Sequence, residues 1–454
     1  MSRRLAFAWV VVALATASTR AEVPYSRDLV PAQGIVFDNK PLTSLGRLGL
    51  YRQWYAAVPL AGAERLIEIS LAPGLLFAQT DDGNFYTYDS ETGQLLWMAS
   101  LGRRTRDAQP ASANSRSVYV TSGNFLFALD RQTGRPIWIE DLTVEPTSAV
   151  ACDEDEVLVG LSSGKVAAFR ASDKFPLWNW QTSGPVLSKP VPAGQAVAFG
   201  SHDGRLYVAL EQPPTMLYRV ATGGEIDAPL GTYGTHLLLV PSADKNVYAV
   251  DLFSANIEWI YPSGAPVLQK PLVAGDTVYV VNAAGILGSL DARNGAVHWT
   301  TPILGGNLVA ISPTRISLKS RDGDLILIDR ARGSYLAGPR ATYQRAGLNL
   351  REYVMAPTNE QDDRMYFATP SGLVICLREI GQNQPRPLRD PKAPPFGHIP
   401  TEGIPATPPA APPAEATPPS SAPAAGAAEV PAPSGGAAPL KEESEGRGPV
   451  VDRS

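Results

Sequence analysis

One phrase recurs along this chain, and its period restricts the possible folds more than any other feature. A small polar residue and a glycine precede a short β-rich run, followed by an acidic residue, a turn and an aromatic. The first copy reads Asp82-Gly83-Asn84-Phe85-Tyr86-Thr87-Tyr88-Asp89, passes through Ser90-Glu91-Thr92-Gly93 and ends on Trp97. The second reads Ser122-Gly123-Asn124-Phe125-Leu126-Phe127-Ala128-Leu129-Asp130, then Gln132-Thr133-Gly134 and Trp138. Further copies start at Gly164, Gly204, Lys245 and Gly285 and end on Trp178, Tyr218, Trp259 and Trp299. Gly323 opens a seventh copy and Gly372 a truncated eighth. Measured at the glycine position the steps are 40, 41, 40, 41, 40, 38 and 49 residues, a spacing that marks a repeat architecture.

Each copy carries strand chemistry. Runs such as Val118-Tyr119-Val120 and Val278-Tyr279-Val280-Val281 are β-branched and aromatic, which suits a pleated surface. The glycine with its polar neighbour makes a hairpin turn. In Asp-x-x-Thr-Gly the Asp side chain bonds nearby backbone N–H groups and the glycine takes a left-handed conformation. Four short strands in some forty residues make one propeller blade. The spacing therefore predicts an all-β fold, an eight-bladed β-propeller of four-stranded antiparallel blades over residues 50–380. The closing aromatics Trp97, Trp138, Trp178, Trp259 and Trp299 are expected to lie against the neighbouring blade. An unmatched Trp54 stands 43 residues before Trp97, while the eighth copy stops before any outer strand. The N-terminal strand is thus expected to complete the last blade, leaving no open sheet edge.

The ends have a different character. Arg3 and Arg4 precede an apolar run from Leu5 to Ala15 and a small-residue cleavage site, so residues 1–21 read as an export signal. That run is shorter than the roughly 20 residues a membrane span needs. No cysteine lies near the cleavage site to carry a lipid, and residues 22–49 form an extension. The expected product is soluble and extracytoplasmic, in the periplasm or cell envelope. Residues 381–454 hold 18 of the 42 prolines, 14 alanines and the single aromatic Phe396. Too little apolar surface is available there to offset ordering entropy, and the segment reads as a disordered tail. A formal charge of −5 argues against nucleic acid, whose binders show a basic face. Cys152 and Cys376 can form one bridge at most; two buried free thiols are the simpler reading.

The phrase with Leu-Asp, Thr-Gly and Trp in register resembles the pyrroloquinoline-quinone (PQQ)-like repeat. It is similar to the Trp-docking propellers of quinoprotein dehydrogenases and of BamB-like outer-membrane assembly factors, whereas no Trp-Asp dipeptide of the WD40 kind occurs. The quinoprotein branch implies PQQ with Ca²⁺, held by a Glu, Asn and Asp set and adjacent cysteines, and no such set can be named here residue by residue. The BamB-like branch implies no cofactor and no catalysis, and a protein partner in the envelope. The expectation is a non-catalytic, monomeric scaffold; the alternative is a reduced PQQ-dependent dehydrogenase.

Two constellations are candidate sites. Segments ahead of the glycine hairpins are taken as the innermost strands, which places Asp107, Lys189, Asp227 and Lys270 near the central channel. The 49-residue step holds an insertion of roughly nine residues, rich in arginine and tyrosine. Long loops on a rigid ring are where binding concentrates, and Tyr with Arg is an interface composition. Arg332, Tyr335, Arg340, Tyr343, Arg345 and Arg351 are therefore candidate partner contacts. The histidines His202, His236, His298 and His398 show no metal spacing.

Overall fold

The computed structural model describes residues 43–102, 107–338, 341–382 and 384–398. The expected signal, residues 22–42 of the extension, Arg340 and everything from Ile399 onward lie outside the described residues. The alternation of apolar and polar residues in each copy folds into strands, and eight antiparallel sheets follow one another along the chain. Seven have four strands. Blade 1, for example, runs Leu66–Ala72, Leu75–Thr80, Asn84–Asp89 and Leu95–Ser100. Second and third strands are almost wholly buried, as in Ser117–Ser122, because both faces pack against neighbouring blades. The core is accordingly a ring of inter-blade clusters, such as Val118, Val120 and Leu129 against Phe77, Phe85 and Trp97.

Blade 8 closes the ring as expected. Leu50–Ala57 pairs antiparallel with Leu373–Glu379, with Trp54 opposite Cys376, and Met365–Ala368 pairs on the other side. The innermost element of this blade is reduced to a bridge between Met355 and Ala368. A 3₁₀ turn at Gly46–Leu48 leads into the closing strand.

The aromatics weld blade to blade. The indole N–H of Trp54 donates to Ser90 O at 3.1 Å, that of Trp97 to Arg131 O at 2.8 Å and that of Trp138 to Ala171 O at 2.9 Å. Trp259 and Trp299 repeat this on Ala292 O and Arg330 O. Each acceptor opens the third-to-fourth-strand turn of the next blade. Asp130 shapes one such turn, its Oδ1 accepting from Thr133 N at 2.8 Å and Thr133 Oγ1 at 2.7 Å. Gly134 then has φ +69° and sits beneath the Trp97 ring, where a Cβ would stand 2.3 Å from the indole. The Thr-Gly signature thus answers two needs: a left-handed residue, and space for the preceding blade's tryptophan. Tyr218 takes the tryptophan's place once, donating to Leu252 O at 2.7 Å, and there the turn tolerates Ala255 at φ +63°.

Strand alternation gives the ring two faces. One carries the first-to-second and third-to-fourth strand turns; the other carries the glycine hairpins and the connections between blades. Past Ile380 the chain packs on the first face rather than leaving it. Leu388 N donates to Gln361 O at 3.0 Å, Gly275 N to Leu388 O at 3.1 Å and Gly397 N to Thr235 O at 2.7 Å. Leu388 is buried among Leu272, Tyr279 and Ile311, and Phe396 packs beside Ala193 and Leu230. The packed chain therefore continues past the limit expected at residue 380 to at least His398, held by these backbone hydrogen bonds and by two apolar side chains in an otherwise proline-rich strap.

Candidate functional site

The residues placed at the channel do not lie on the innermost strands. Those strands are short, Val191–Ala193 and Leu272–Ala274 for instance, and Lys189 and Lys270 sit in the connections just ahead of them. Pro190 and Pro271 explain the shift: each follows the lysine, removes a ladder donor and sets the chain's entry into the strand. Lys189 and Lys270 nevertheless converge on the axis. Lys270 Nζ lies 2.6 Å from Glu360 Oε2 of blade 8, and Lys189 Nζ donates to Ser112 Oγ of blade 2 at 2.9 Å. Burial pushes the Lys189 ammonium below its ordinary value, with Glu360 pulling the other way and Lys270 reinforcing the fall. For Glu360 burial acts upward, but Lys270 and Lys189 outweigh it and hold the carboxyl below the usual range. The Glu68 carboxyl, on the innermost strand of blade 1, is pushed up to about 7 by burial alone.

Asp227 does not join this group; it pairs with His202 at 3.0 Å, next to a glycine hairpin. Asp107 is exposed. A cavity of about 330 Å³ opens beside the axis beneath the strap, lined by Tyr233, Lys270, Leu272, Glu360, Leu388 and Arg389 among others. Glu360, Glu68 and the strap escaped the sequence reading. The glutamates belong to no repeated position, and the strap's composition hid its two anchors.

The basic insertion does not form one patch. Arg332 lies in the third-to-fourth-strand turn of blade 7, its amide bonded to Asp329 Oδ1. Tyr335 stands on that blade's outer strand, with its hydroxyl on Pro302 O. Arg345 ends a π-helical turn, Ala341–Arg345, which includes Tyr343. Arg351 reaches the opposite face, where Nε lies 3.4 Å from Asp324 Oδ1. Asp322-Gly323-Asp324 is a hairpin turn, as its repeat position implies, with Gly323 at φ +84°.

One junction departs from the docking rule. Blade 4 has Glu211-Gln212-Pro213-Pro214 where blades 1 and 2 carry an aspartate, threonine and glycine and the turns of blades 3, 5, 6 and 7 keep a left-handed residue at the glycine position. Trp178 still packs against Val197, Phe199 and Tyr207 of that blade. Its N–H, however, donates to Glu156 Oε2 at 3.1 Å in its own blade. Glu156 Oε1 and Glu211 Oε1 are buried without hydrogen-bond partners. Burial, reinforced by Glu156, Asp153 and Asp155, pushes the Glu211 carboxyl up to about 8.

Among the described residues no group of three or more His, Cys, Asp or Glu side chains is disposed to hold a metal ion. Cys152 and Cys376 are free thiols, the second buried and the first only partly so. No helix among the described residues is long and apolar enough to cross a membrane.

Comparison with known proteins agrees with this architecture. A relative from Shewanella oneidensis, outer membrane protein assembly factor BamB, is 24% identical over 279 residues, covering 53% of this chain and 69% of that protein. The BamB proteins of Yersinia pestis and Burkholderia pseudomallei are each 24% identical as well. Those alignments span 52% and 49% of this chain and 66% and 62% of the relatives. The crystal structure of BamB from Moraxella catarrhalis superposes with a TM-score of 0.61 at 16% identity, covering 74% of this chain and 99% of that one. The crystal structure of the computationally designed Ika8 protein gives 0.56 at 14% identity, over 70% of this chain and 98% of its own. At such identities the structural likeness speaks for the fold alone. A family model described as outer membrane protein assembly factor BamB matches residues 52–215 and 208–403. Those spans take in the whole ring and its strap, and the chain belongs to that family.

Proposed function

We propose that the protein is an exported, non-catalytic scaffold of the cell envelope that holds a protein partner in the manner of an outer-membrane assembly factor. The observation that carries this reading is the family match over residues 52–403, which includes every blade. The two-faced ring supports it: rigid sheets hold many turns and connections in fixed positions, the arrangement on which binding loops are commonly carried. Residues 1–21 act as the export signal, the mature chain works as a monomer, and residues beyond the strap act as a passive spacer. The stretch from the last turn of blade 7 through the long connection after it, with Arg332, Tyr335, Arg340, Tyr343, Arg345 and Arg351, contributes partner contacts.

Affinity capture from outer-membrane fractions tests the reading. A discrete envelope protein should be retained by the full-length protein and released when those arginines are replaced by serine. Recovery of the mature chain from periplasm, starting near residue 22, checks export. Adding PQQ and Ca²⁺ should produce neither quinone absorbance nor dye reduction with alcohols or sugars; either signal would replace the scaffold by a dehydrogenase.

A further inference from the structure

We infer that the cavity between blades 7 and 8 is a socket for an acidic side chain of a protein partner, with Lys319 as its buried cation. The inference rests on the scaffold reading only in making the occupant part of a protein. The cavity measures about 280 Å³ and is lined by Lys319, Arg321, Asp322, Arg351, Val354 and Ala356 among others. That is smaller than the usual small-molecule pocket and suits one inserted side chain.

Lys319 ends the second strand of blade 7 and is 8% exposed. Its Nζ donates to Tyr353 O, and no ion pair of this lysine exists among the described residues. An ammonium has three donors, so one carbonyl leaves it short of acceptors. Burial accordingly pushes its pKa down. Buried charges are normally paired, and a carboxylate entering the cavity would supply both the charge and the missing acceptors.

The rim reinforces this. Arg321 is exposed and has no hydrogen-bond or ion-pair partner among the described residues. Arg351 adds a second guanidinium, held 3.4 Å from Asp324. Lys319, Arg321 and Arg351 thus face the two carboxylates Asp322 and Asp324, leaving a positive excess. The walls are built closely. At Gly306, with φ +138°, a Cβ would stand 2.3 Å from Lys319 O, and at Gly323 one would stand 2.8 Å from Arg351 Cα. Gly306 thus lets the segment ahead of the first strand lie against Lys319, and Gly323 lets the basic connection lie against the hairpin. Val354, 60% exposed, and Ala356 give the mouth an apolar side. A free inorganic anion has no use for such a wall, whereas an acidic residue flanked by an apolar one does.

The test uses the full-length protein and a fluorescein-labelled Gly/Ser decapeptide with a central leucine–glutamate–leucine, read by anisotropy. This peptide should bind at least ten-fold more tightly than its glutamine counterpart, and Arg321→Ser should weaken it at least three-fold. Lys319→Met, checked for folding by circular dichroism, should abolish the preference for glutamate. Equal binding of the two peptides, or wild-type affinity in Arg321→Ser, overturns the inference. Complete displacement of the peptide by millimolar inorganic phosphate would make the occupant a free oxyanion and overturn the assignment to protein. A ten-fold gain in affinity on removing residues 399–454 would make the chain's own tail the occupant and overturn the assignment to a partner. Failure of the two readings is separable. If wild type captures an envelope partner and both variants capture it equally, the socket falls and the scaffold stands. If wild type captures nothing yet binds the peptide, the reverse holds.

Discussion

Replacing Gly134 by alanine probes the contact that joins one blade to the next. The new Cβ meets two costs. Holding an L-residue at φ +69° costs roughly 1–2 kcal/mol. The Cβ would also lie 2.3 Å from Trp97 Cε3. Trp97 is buried, with its N–H fixed to Arg131 O, so the overlap must be relieved by shifting packed groups, at roughly 1–3 kcal/mol. Gly74→Ala is the matched control, because Gly74 has φ +76° and nothing within 4 Å of its missing Cβ. Gly134→Ala should therefore be destabilised by about 2 kcal/mol more than Gly74→Ala, read from urea unfolding followed by tryptophan fluorescence. The protein itself suggests the rescue. Where Tyr218 replaces the tryptophan, Ala255 occupies the glycine position, so the Trp97→Tyr, Gly134→Ala double variant should regain at least half of the excess. Lys174, facing Trp138 at φ +60°, shows that a larger residue is accepted when its ammonium is tied to Ile139 O and Glu140. Alanine offers no such tie. Equal losses in Gly134→Ala and Gly74→Ala would refute the steric account.

Glu211 should make stability pH-dependent. A carboxyl raised from 4.5 to about 8 on folding binds more protons in the folded state, so its contribution is complete below pH 4.5 and is lost as pH climbs toward 8. At about 1.4 kcal/mol per unit the upper bound is about 5 kcal/mol; the urea midpoint should fall between pH 5 and 9, and Glu211→Gln should flatten that fall. Leu388→Ser should release the strap, seen as faster amide exchange over residues 384–398 with little change in the blades; unchanged exchange would show that Leu388 does not anchor it. The Cys152 thiol is pushed up to about 12 by burial, only partly offset by Lys189, so it should resist maleimide at pH 7.5 despite its partial exposure. Labelling within minutes would contradict that placement.

The ring was readable from the sequence because its determinants recur in register. Asp130, Thr133 and Gly134 form a local turn whose chemistry needs no distant partner, and Trp97 advertises the interface by returning every forty residues. Trp54 was placed correctly for the same reason: it was a repeat element out of sequence order. The site was less readable. Lys270 finds Glu360, and Lys189 finds Ser112, across blades, and nothing in the spacing of single charged residues announces such meetings. Asp227 was assigned to the channel by register but is drawn to His202 instead. Lys319 sits in an ordinary strand position, and its burial follows from where the inserted connection lies. Leu388 and Phe396 were obscured by the prolines around them.

The pairing of Leu50–Ala57 with Leu373–Glu379 has a consequence for biosynthesis. During synthesis the earliest blade segment must wait, edge unmatched, while seven complete sheets emerge after it. Only when Glu379 is available can the circle be sealed, so a chain cut short anywhere in the ring keeps an open edge that invites association with other strands. The finished ring differs from every truncated one by having its first and last strands locked side by side.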